Sequence, residues 1–236
     1  MTEETTQPPQ AEGTSAQPQP SPTQHYQPGG DAATKMGLAL HTICLYAGRA
    51  ADKMVSLYDR ALCVDPAYRA EYLKSVGVSH SRKGRHSKAI APLEAALAIT
   101  PNDTEVRRHL GNAYFACNEV DKAATHLEKA LEADALSPGV LFSLGMLSSK
   151  KQDYDNAIEY FRKTIELEPQ NAQAHYRLGI AFDNKKLSEE AITFFKKAIS
   201  LDPRDAKAHQ ALGFAYETIG DRESAVACFK KALELD

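Results

Sequence analysis

Apolar residues recur along the chain with the period of an α-helix, and the whole pattern repeats every 34 residues. In the stretch "AITFFKKAIS", the small Ala191, the large Phe195 and the small Ala198 lie at i, i+4 and i+7. This spacing places the three side chains on one helical face. The equivalent small and large pairs are Ala89 and Leu93, Ala123 and Leu127, Ala157 and Phe161, and Ala225 and Phe229. The pattern therefore predicts five amphipathic helices of one type.

A helix of a second type precedes each of these five. The stretches "AHYRLGIAF" at 174–182 and "AHQALGFAY" at 208–216 share five residues and lie 34 positions apart. We expect the glycine of the Leu-Gly pair to let the two helices of a unit approach closely. The pairs are Val76-Gly77, Leu110-Gly111, Leu144-Gly145, Leu178-Gly179 and Leu212-Gly213. A 34-residue unit of two helices is the signature of the tetratricopeptide repeat (TPR).

The chain resembles TPR proteins at these positions, and this resemblance implies the fold. We predict an all-α TPR α-solenoid, in which antiparallel helix pairs form a right-handed superhelix. Residues 70–236 form five clear units, namely 70–103, 104–137, 138–171, 172–205 and 206–236. The segment 35–69 keeps the second-helix register but lacks the Leu-Gly pair, so it is predicted to be a degenerate sixth unit. We expect the small and large repeat positions to form the core and to carry no chemistry.

The N-terminal segment 1–34 differs from the rest in composition. It holds six of the twelve prolines, with four carboxylates and no Lys or Arg. Such a segment cannot bury enough apolar surface to offset its ordering entropy, so we predict a disordered Pro/Gln-rich tail. Its first ten residues lack the basic and apolar regions of a signal peptide. The tail is therefore not predicted to direct secretion.

The overall charge and the cysteines limit the classes of partner. The net charge of −3 gives no basic field for nucleic acid or an anionic bilayer. The four cysteines contain no CxxC pair, which favours free thiols and a reducing compartment. No stretch is long and apolar enough to span a bilayer. We predict a cytoplasmic protein that binds no nucleic acid and does not insert into a membrane.

The sequence contains no motif for catalysis or cofactor binding. The nucleophile elbow, the phosphate-binding loop, the zinc-protease motif and the dinucleotide fingerprint are all missing. His175 and His209 share one repeat position, which indicates packing groups rather than metal ligands, because a metal site needs three or four convergent ligands. We therefore predict that the protein is not an enzyme and holds no cofactor or metal.

The expected function is binding, through the concave face that first helices form in TPR arrays. Positions 2, 5, 6, 9 and 12 of each unit are expected to face this groove. Apolar anchors beside arginines suit a peptide or a protein segment. The candidate groove residues are Lys74, Arg108, Asn112, Phe115, Phe142, Met146, Gln173, Tyr176, Arg177, Ile180 and Phe214.

One interpretation of the groove is a carboxylate clamp. Arg108, Asn112 and Arg177 lie where chaperone-adaptor TPR domains place such a clamp, whereas Ser143 and Gln173 replace its Asn and Lys. The match is partial. It supports an alternative function, a monomeric adaptor that binds acidic or C-terminal peptides. A second alternative, the regulatory portion of a longer enzyme, is weakened by the starting Met1 and by the lack of a linker after residue 236.

The residues outside the repeat consensus point to one family. The stretches "LYAGRAADKM", "YLKSVGVSHSRKGRHSKAI" and "FAYETIGDRESAVACFKKALELD" resemble the MamA family, the magnetosome-associated TPR proteins of magnetotactic bacteria. The resemblance covers roughly residues 40–236; the long tail departs from it. It implies a non-catalytic homo-oligomer without a cofactor, associated peripherally with the cytoplasmic side of the magnetosome membrane. It also implies binding to other magnetosome proteins and hence a link to biomineralization.

Self-assembly is expected to involve the degenerate unit 35–69. A helix pair without its packing glycine leaves an amphipathic surface that a neighbouring copy can bury. The candidate residues are Leu45, Tyr46, Met54 and Tyr58. We predict that this unit docks onto the groove of the next copy around Arg108, Phe142 and Arg177. Such a head-to-tail contact does not close and therefore propagates.

Overall fold

A computed structural model of the chain describes residues 65–235, and all the regular elements in that part are α-helices. The helices, numbered in chain order, are α1 Pro66–Arg82, α2 His86–Ile99, α3 Thr104–Ala116, α4 Val120–Ala133, α5 Pro138–Lys150, α6 Tyr154–Leu167, α7 Ala172–Asn184, α8 Ser188–Leu201, α9 Ala206–Thr218 and α10 Arg222–Leu235. The all-α fold predicted from the sequence is confirmed. The predicted tail 1–34 and residues 35–64 of the degenerate unit lie outside the described residues, and so do Leu45, Tyr46, Met54 and Tyr58.

Short polar side chains cap the N-terminus of most of the first helices of the units. The side chain of Asp103 accepts a hydrogen bond from the N–H of Val106 at 2.9 Å, and that of Asn171 accepts one from Ala174 at 3.0 Å. Each bond satisfies a backbone donor that has no partner inside the helix. Helices α3, α7 and α9 therefore begin where the sequence provides a cap.

Helix α1 begins earlier than the unit boundary predicted at residue 70. Pro66 occupies its first turn, where a missing N–H costs nothing. The side chain of Asp65 accepts a hydrogen bond from the N–H of Ala67 at 2.9 Å. Pro66 thus starts a helix instead of ending the preceding unit, which lengthens α1 to 17 residues.

The two helices of each unit meet where the glycine of the first faces the large residue of the second. A Cβ built on Gly111 would lie 2.7 Å from Cγ of Leu127, and one on Gly179 would lie 2.6 Å from Cε1 of Phe195. Leu127 and Phe195 are fully buried. The Leu-Gly and small–large patterns of the sequence are therefore two sides of one contact.

The turn inside each unit contains one residue with a left-handed backbone. These residues are Gly84, Asn118, Gln152, Lys186 and Gly220, with φ between 61° and 87°. They lie 34 positions apart, so the turn geometry repeats along with the helices. At three of the five turns the residue is not glycine, although glycine is the residue that adopts this backbone conformation without strain.

Buried side chains form two clusters, an N-terminal core with members between Leu73 and Leu147 and a C-terminal core with members between Ala157 and Ala215. Each helix packs only against helices one or two positions away within the described part of the chain. The first helices of successive units, such as α3, α5 and α7, contact one another along one side. This arrangement provides the surface on which the candidate groove residues lie.

Candidate protein-binding groove

The structure brings four of the candidate groove residues together around one depression. Phe115 in the last turn of α3, Met146 in α5, and Arg177 and Ile180 in α7 line a space of about 280 Å³. Four further residues complete its wall: Ser149, Lys150, Tyr154 and Asn184. We call the space bounded by these eight residues the slot. It spans three consecutive units on the side formed by the first helices.

The floor of the slot is apolar and continuous with the core. Phe115 is half-buried against the N-terminal core, while Met146 and Ile180 are half-buried against the C-terminal core. Each of the three side chains therefore has one side packed against a fixed neighbour and the other facing the slot. Such a floor is held in place before any ligand arrives.

Two basic side chains, Lys150 and Arg177, lie beside this apolar floor. The Nζ of Lys150 lies 4.8 Å from the centroid of the Phe115 ring, and the guanidinium carbon of Arg177 lies 5.6 Å from the centroid of Tyr176. Within residues 65–235 neither cation forms an ion pair. The Nε of Arg177 is buried and has no hydrogen-bond partner there. None of the eight residues of the slot is a carboxylate.

Two other polar groups of the slot, the Ser149 hydroxyl and the Asn184 amide, are already engaged by the backbone. The hydroxyl of Ser149 donates to the carbonyl of Gly145 at 2.9 Å. The Nδ2 of Asn184 donates to the carbonyl of Ile180 at 2.8 Å. Lys150 and Arg177 are therefore the charged groups of the slot that remain available for a ligand.

The N-terminal part of the groove contains a cation with several partners. The Nζ of Lys74 lies 2.5 Å from Glu105 and 3.4 Å from Asp103. Lys74 also lies 4.0 Å from Glu71. The hydrogen bond from Lys74 holds the pKa of Glu105 below its ordinary value. The charge of Lys74 is therefore balanced within the chain.

Arg108 and Ser143, both at clamp positions, are also engaged internally. The Nη2 of Arg108 lies 3.1 Å from Nε2 of His109, and its side chain lies across Gly139 at the start of α5. Ser143 is buried, and its hydroxyl donates to the carbonyl of Gly139 at 2.9 Å. Two positions of the partial clamp thus contact their own chain, while Arg177 belongs to the slot.

The aromatic candidates of the groove rest on the large residues of the second helices. Phe142 packs against Phe161 with the ring centroids 5.6 Å apart. Tyr176 packs in the same way against Phe195 at 5.9 Å. Phe214 contacts Phe229 edge-on and is still 52% exposed. Asn112 is half-buried and Gln173 is exposed.

The two repeated histidines bind the loop that precedes their own helix. The Nε2 of His175 lies 3.1 Å from the carbonyl oxygen of Pro169, and that of His209 lies 3.2 Å from the carbonyl oxygen of Pro203. His175 is buried beside Phe194. The part of the chain that the structure describes contains no cluster of three or more His, Cys, Asp or Glu suited to a metal ion. Nor, within residues 65–235, does a helix have the length and apolar character needed to cross a bilayer.

Comparisons with known proteins identify the repeats. Family models of the tetratricopeptide repeat match residues 82–140, 142–206 and 206–236. A crystal structure of MamA shares 32% identity over 68% of this chain and 94% of that chain, with a TM-score of 0.60. The MamA MSR-1 structure shares 38% identity over 71% of this chain and 97% of that chain, also with a TM-score of 0.60. The chain belongs to the MamA family of TPR proteins.

A third MamA structure, residues 41 to the end from Desulfovibrio magneticus RS-1, shares 27% identity over 70% of this chain and 94% of that chain, with a TM-score of 0.63. The resemblance to the MamA family and the TPR solenoid predicted from the sequence are confirmed. The chain spans less than half the length of the curated relatives that it matches. A heat-shock cognate co-chaperone, sgt12 of Aspergillus fumigatus, is 28% identical over 61% of this chain and 43% of its own length. Superkiller protein 3 of Saccharomyces cerevisiae is 35% identical over 24% of this chain and 4% of its own length.

Four residues of the slot are not among the candidates named from the sequence. Ser149 lies at unit position 12, which was expected to face the groove, although Ser149 itself was not named. Lys150 and Asn184 lie at position 13 of their units, in α5 and α7. Position 13 was not among the positions expected to face the groove. Since positions 9 and 13 are one helical turn apart, the i, i+4 rule extended from Met146 to Lys150 and from Ile180 to Asn184 was the available signal. Tyr154 belongs to a second helix and had no such signal.

Proposed function

We propose that this member of the MamA family is a non-catalytic scaffold. It assembles with copies of itself on the cytoplasmic side of the magnetosome membrane and recruits other magnetosome proteins there. The observation that carries the proposal is the slot, where Phe115, Met146 and Ile180 present apolar surface beside two cations that have no carboxylate partner within residues 65–235. Apolar anchors next to available donors suit the capture of a protein segment.

The proposal includes no catalytic activity and no cofactor. The titratable groups in the N-terminal part of the groove pair with one another, Lys74 with Glu105 and Arg108 with His109. The Lys74–Glu105 pair joins α1 to α3, whereas Arg108 and His109 are consecutive residues of α3. A catalytic site would instead place a nucleophile, a base and a group that orients the base within hydrogen-bond reach of each other.

Self-assembly is proposed to use the degenerate unit 35–69, through its segment 35–64 that precedes α1, with Leu45, Tyr46, Met54 and Tyr58 as its apolar contacts. This segment carries four basic and two acidic residues. Its charge is opposite to that of Glu71, Asp103 and Glu105 but equal in sign to that of the slot. The sequence predicts docking around Arg108, Phe142 and Arg177 of the next copy. Because Arg177 lines the positively charged slot, we now expect the segment to dock near Arg108 and Phe142 and to leave the slot open.

Light scattering after size exclusion tests the assembly. We expect the full chain to form large particles, and a variant lacking residues 1–64, which keeps all ten described helices, to be monomeric. Tyr46→Asp and Tyr58→Asp in the full chain serve as point variants, and deletion of 1–34 alone serves as the control for the tail. A monomeric full chain at micromolar concentration would contradict the proposed assembly.

The proposed location needs a separate test. Isolated magnetosomes should carry the protein on their outer surface, where an added protease digests it without detergent. A wash with alkaline carbonate should release it, because peripheral proteins have no membrane-spanning segment to hold them. Resistance to the protease until detergent is added would contradict a coat on the cytoplasmic side.

A second candidate function is a monomeric adaptor for acidic or C-terminal peptides. Lys150 and Arg177 favour it, since both cations lack a carboxylate partner within residues 65–235. The internal contacts of Arg108 and Ser143 disfavour the clamp geometry. If the adaptor were correct, the full chain would be monomeric, and Arg108→Ala would reduce binding as strongly as Arg177→Ala.

A further inference from the structure

We propose that the slot binds an acidic linear peptide in which a bulky apolar side chain stands next to carboxylates. The inference deepens the proposed scaffold function and rests on it, because it names the chemical class of segment that the groove recruits. It assigns the binding to the wall formed by α3, α5 and α7. The N-terminal part of the groove takes no part in it.

The size and the floor of the slot define the apolar half of the ligand. Its volume of about 280 Å³ lies just below the roughly 300–1,000 Å³ of small-molecule pockets. Phe115, Met146 and Ile180 approach it from three different helices, so an inserted side chain would touch all three units at once. Methionine adapts its shape readily, which allows Phe, Tyr or Leu to serve as the anchor.

The charges of the slot define the other half of the ligand. Lys150 and Arg177 supply two positive charges, and no residue of the wall is negative. The guanidinium of Arg177 forms no ion pair within residues 65–235. A carboxylate satisfies the planar fork of an arginine with two parallel hydrogen bonds. A carboxylate beside the anchor is therefore the group that completes the site.

The N-terminal segments of the chain itself fit the slot poorly. Residues 35–64 carry a net positive charge, which the two cations repel. The tail 1–34 has four carboxylates, but its one aromatic residue, Tyr26, lies five positions from the nearest of them, Asp31. The tail has no bulky apolar side chain directly beside an acid, and the Tyr58-Asp59 pair of residues 35–64 is followed by Arg60 in a segment of net positive charge. The occupant is therefore a segment of a partner protein.

The test uses fluorescence anisotropy with the full chain and a synthetic peptide. The probe is a fluorescein-labelled Gly-Asp-Glu-Phe-Asp-Glu-Gly-Ser. Two matched probes replace the Phe by Gly, or the acids by Asn and Gln. We expect saturable binding of the first probe only, and a loss of affinity as salt rises from about 50 mM to about 500 mM, since screening weakens ion pairs at the surface.

Substitutions in the chain locate the binding. Arg177→Gln and Lys150→Gln should each weaken binding about tenfold, the loss expected for a charged hydrogen bond. Lys151→Gln and Arg204→Gln remove exposed cations that do not line the slot, and they should leave the affinity within about twofold. Equal effects of Lys150→Gln and Lys151→Gln would overturn the inference. So would equal binding of the acidic and the neutral probe.

Light scattering on the same samples separates this inference from the proposed function. If the full chain assembles but binds no acidic probe, the inference fails and the scaffold stands. If it binds the probe through Arg177 and Lys150 but stays monomeric, the assembly fails and the peptide site stands. A tenfold or greater gain in affinity on deletion of residues 1–34 would show that the tail occupies the slot and would overturn the choice of a partner segment.

Discussion

Gly145 faces the ring of Phe161 so closely that a Cβ on the glycine would lie 2.6 Å from Cε1 of the phenylalanine. Phe161 is fully buried, so its ring cannot move aside without displacing its neighbours. We expect Gly145→Ala to lower the free energy of unfolding by about 1–3 kcal/mol, as overpacking does in other cores. Urea denaturation followed by circular dichroism measures this change.

Gly139 in the same helix provides the matched control. The three atoms nearest to a Cβ there all belong to the flexible side chain of Arg108, the closest of them at 3.1 Å. We expect Gly139→Ala to be neutral or stabilising, because alanine is the better helix former by about 1 kcal/mol. Equal losses at the two glycines would contradict the contact with Phe161 as the cause.

Lys186 adopts a left-handed backbone, with φ of 63°, in the turn between α7 and α8. We expect Lys186→Gly to raise the free energy of unfolding by about 0.5–1 kcal/mol, because glycine adopts this conformation without strain. The reverse change, Gly220→Ala at φ of 87°, should lower it by a similar amount. The midpoints of urea unfolding report both, and shifts of the same sign would refute the backbone explanation.

Asn171 caps α7, since its side chain accepts a hydrogen bond from the N–H of Ala174 at 3.0 Å. We expect Asn171→Ala to cost about 1 kcal/mol of stability. Ser137 occupies the same position before α5, but its side chain forms no such bond. Ser137→Ala should therefore change thermal stability much less, and a larger loss at Ser137 would contradict this assignment of caps.

His109 should make stability depend on pH. Burial, followed by the positive charge of Arg108, lowers the pKa of His109 below its ordinary value of 6.5, while Glu105 opposes this shift and Lys74 and Arg82 add to it. The unfolded chain therefore binds the proton more readily. The stability that depends on neutral His109 is complete above pH 6.5 and is lost as the pH falls through the folded-state pKa.

Replacing this histidine should reduce the pH dependence. We expect the unfolding midpoint of His109→Gln to fall less than that of the parent chain between about pH 7.5 and about pH 5.5. An NMR titration of the ring proton on Cε1 gives the pKa directly. Parallel unfolding curves for the two proteins would contradict the prediction.

The repeated contacts could be predicted from the sequence because they recur. Gly111 and Leu127 each belong to a series with a 34-residue spacing, and five copies make such a series visible. The left-handed turns were not predicted, because Asn118, Gln152 and Lys186 carry side chains that do not mark a glycine-like backbone.

The repeat pattern predicted which side of the first helices forms the groove. It did not predict which groove side chains already contact other residues of the chain. Arg108 fits a clamp by position, and it contacts His109 and Gly139 because α5 begins beside it. Lys150 was not predicted because it lies at unit position 13, which was not assigned to the groove, one helical turn after Met146. The self-assembly residues Leu45, Tyr46, Met54 and Tyr58 stay predictions.

Since each helix touches only helices one or two places away, no contact joins the two ends of the described array. Its curvature is the sum of the small rotations between successive units. The array therefore bends through small changes in these rotations, and the packing at the junctions between units determines its resistance to bending. A segment that bridges Phe115, Met146 and Ile180 would clamp two adjacent junctions and so fix the bend of the middle of the molecule.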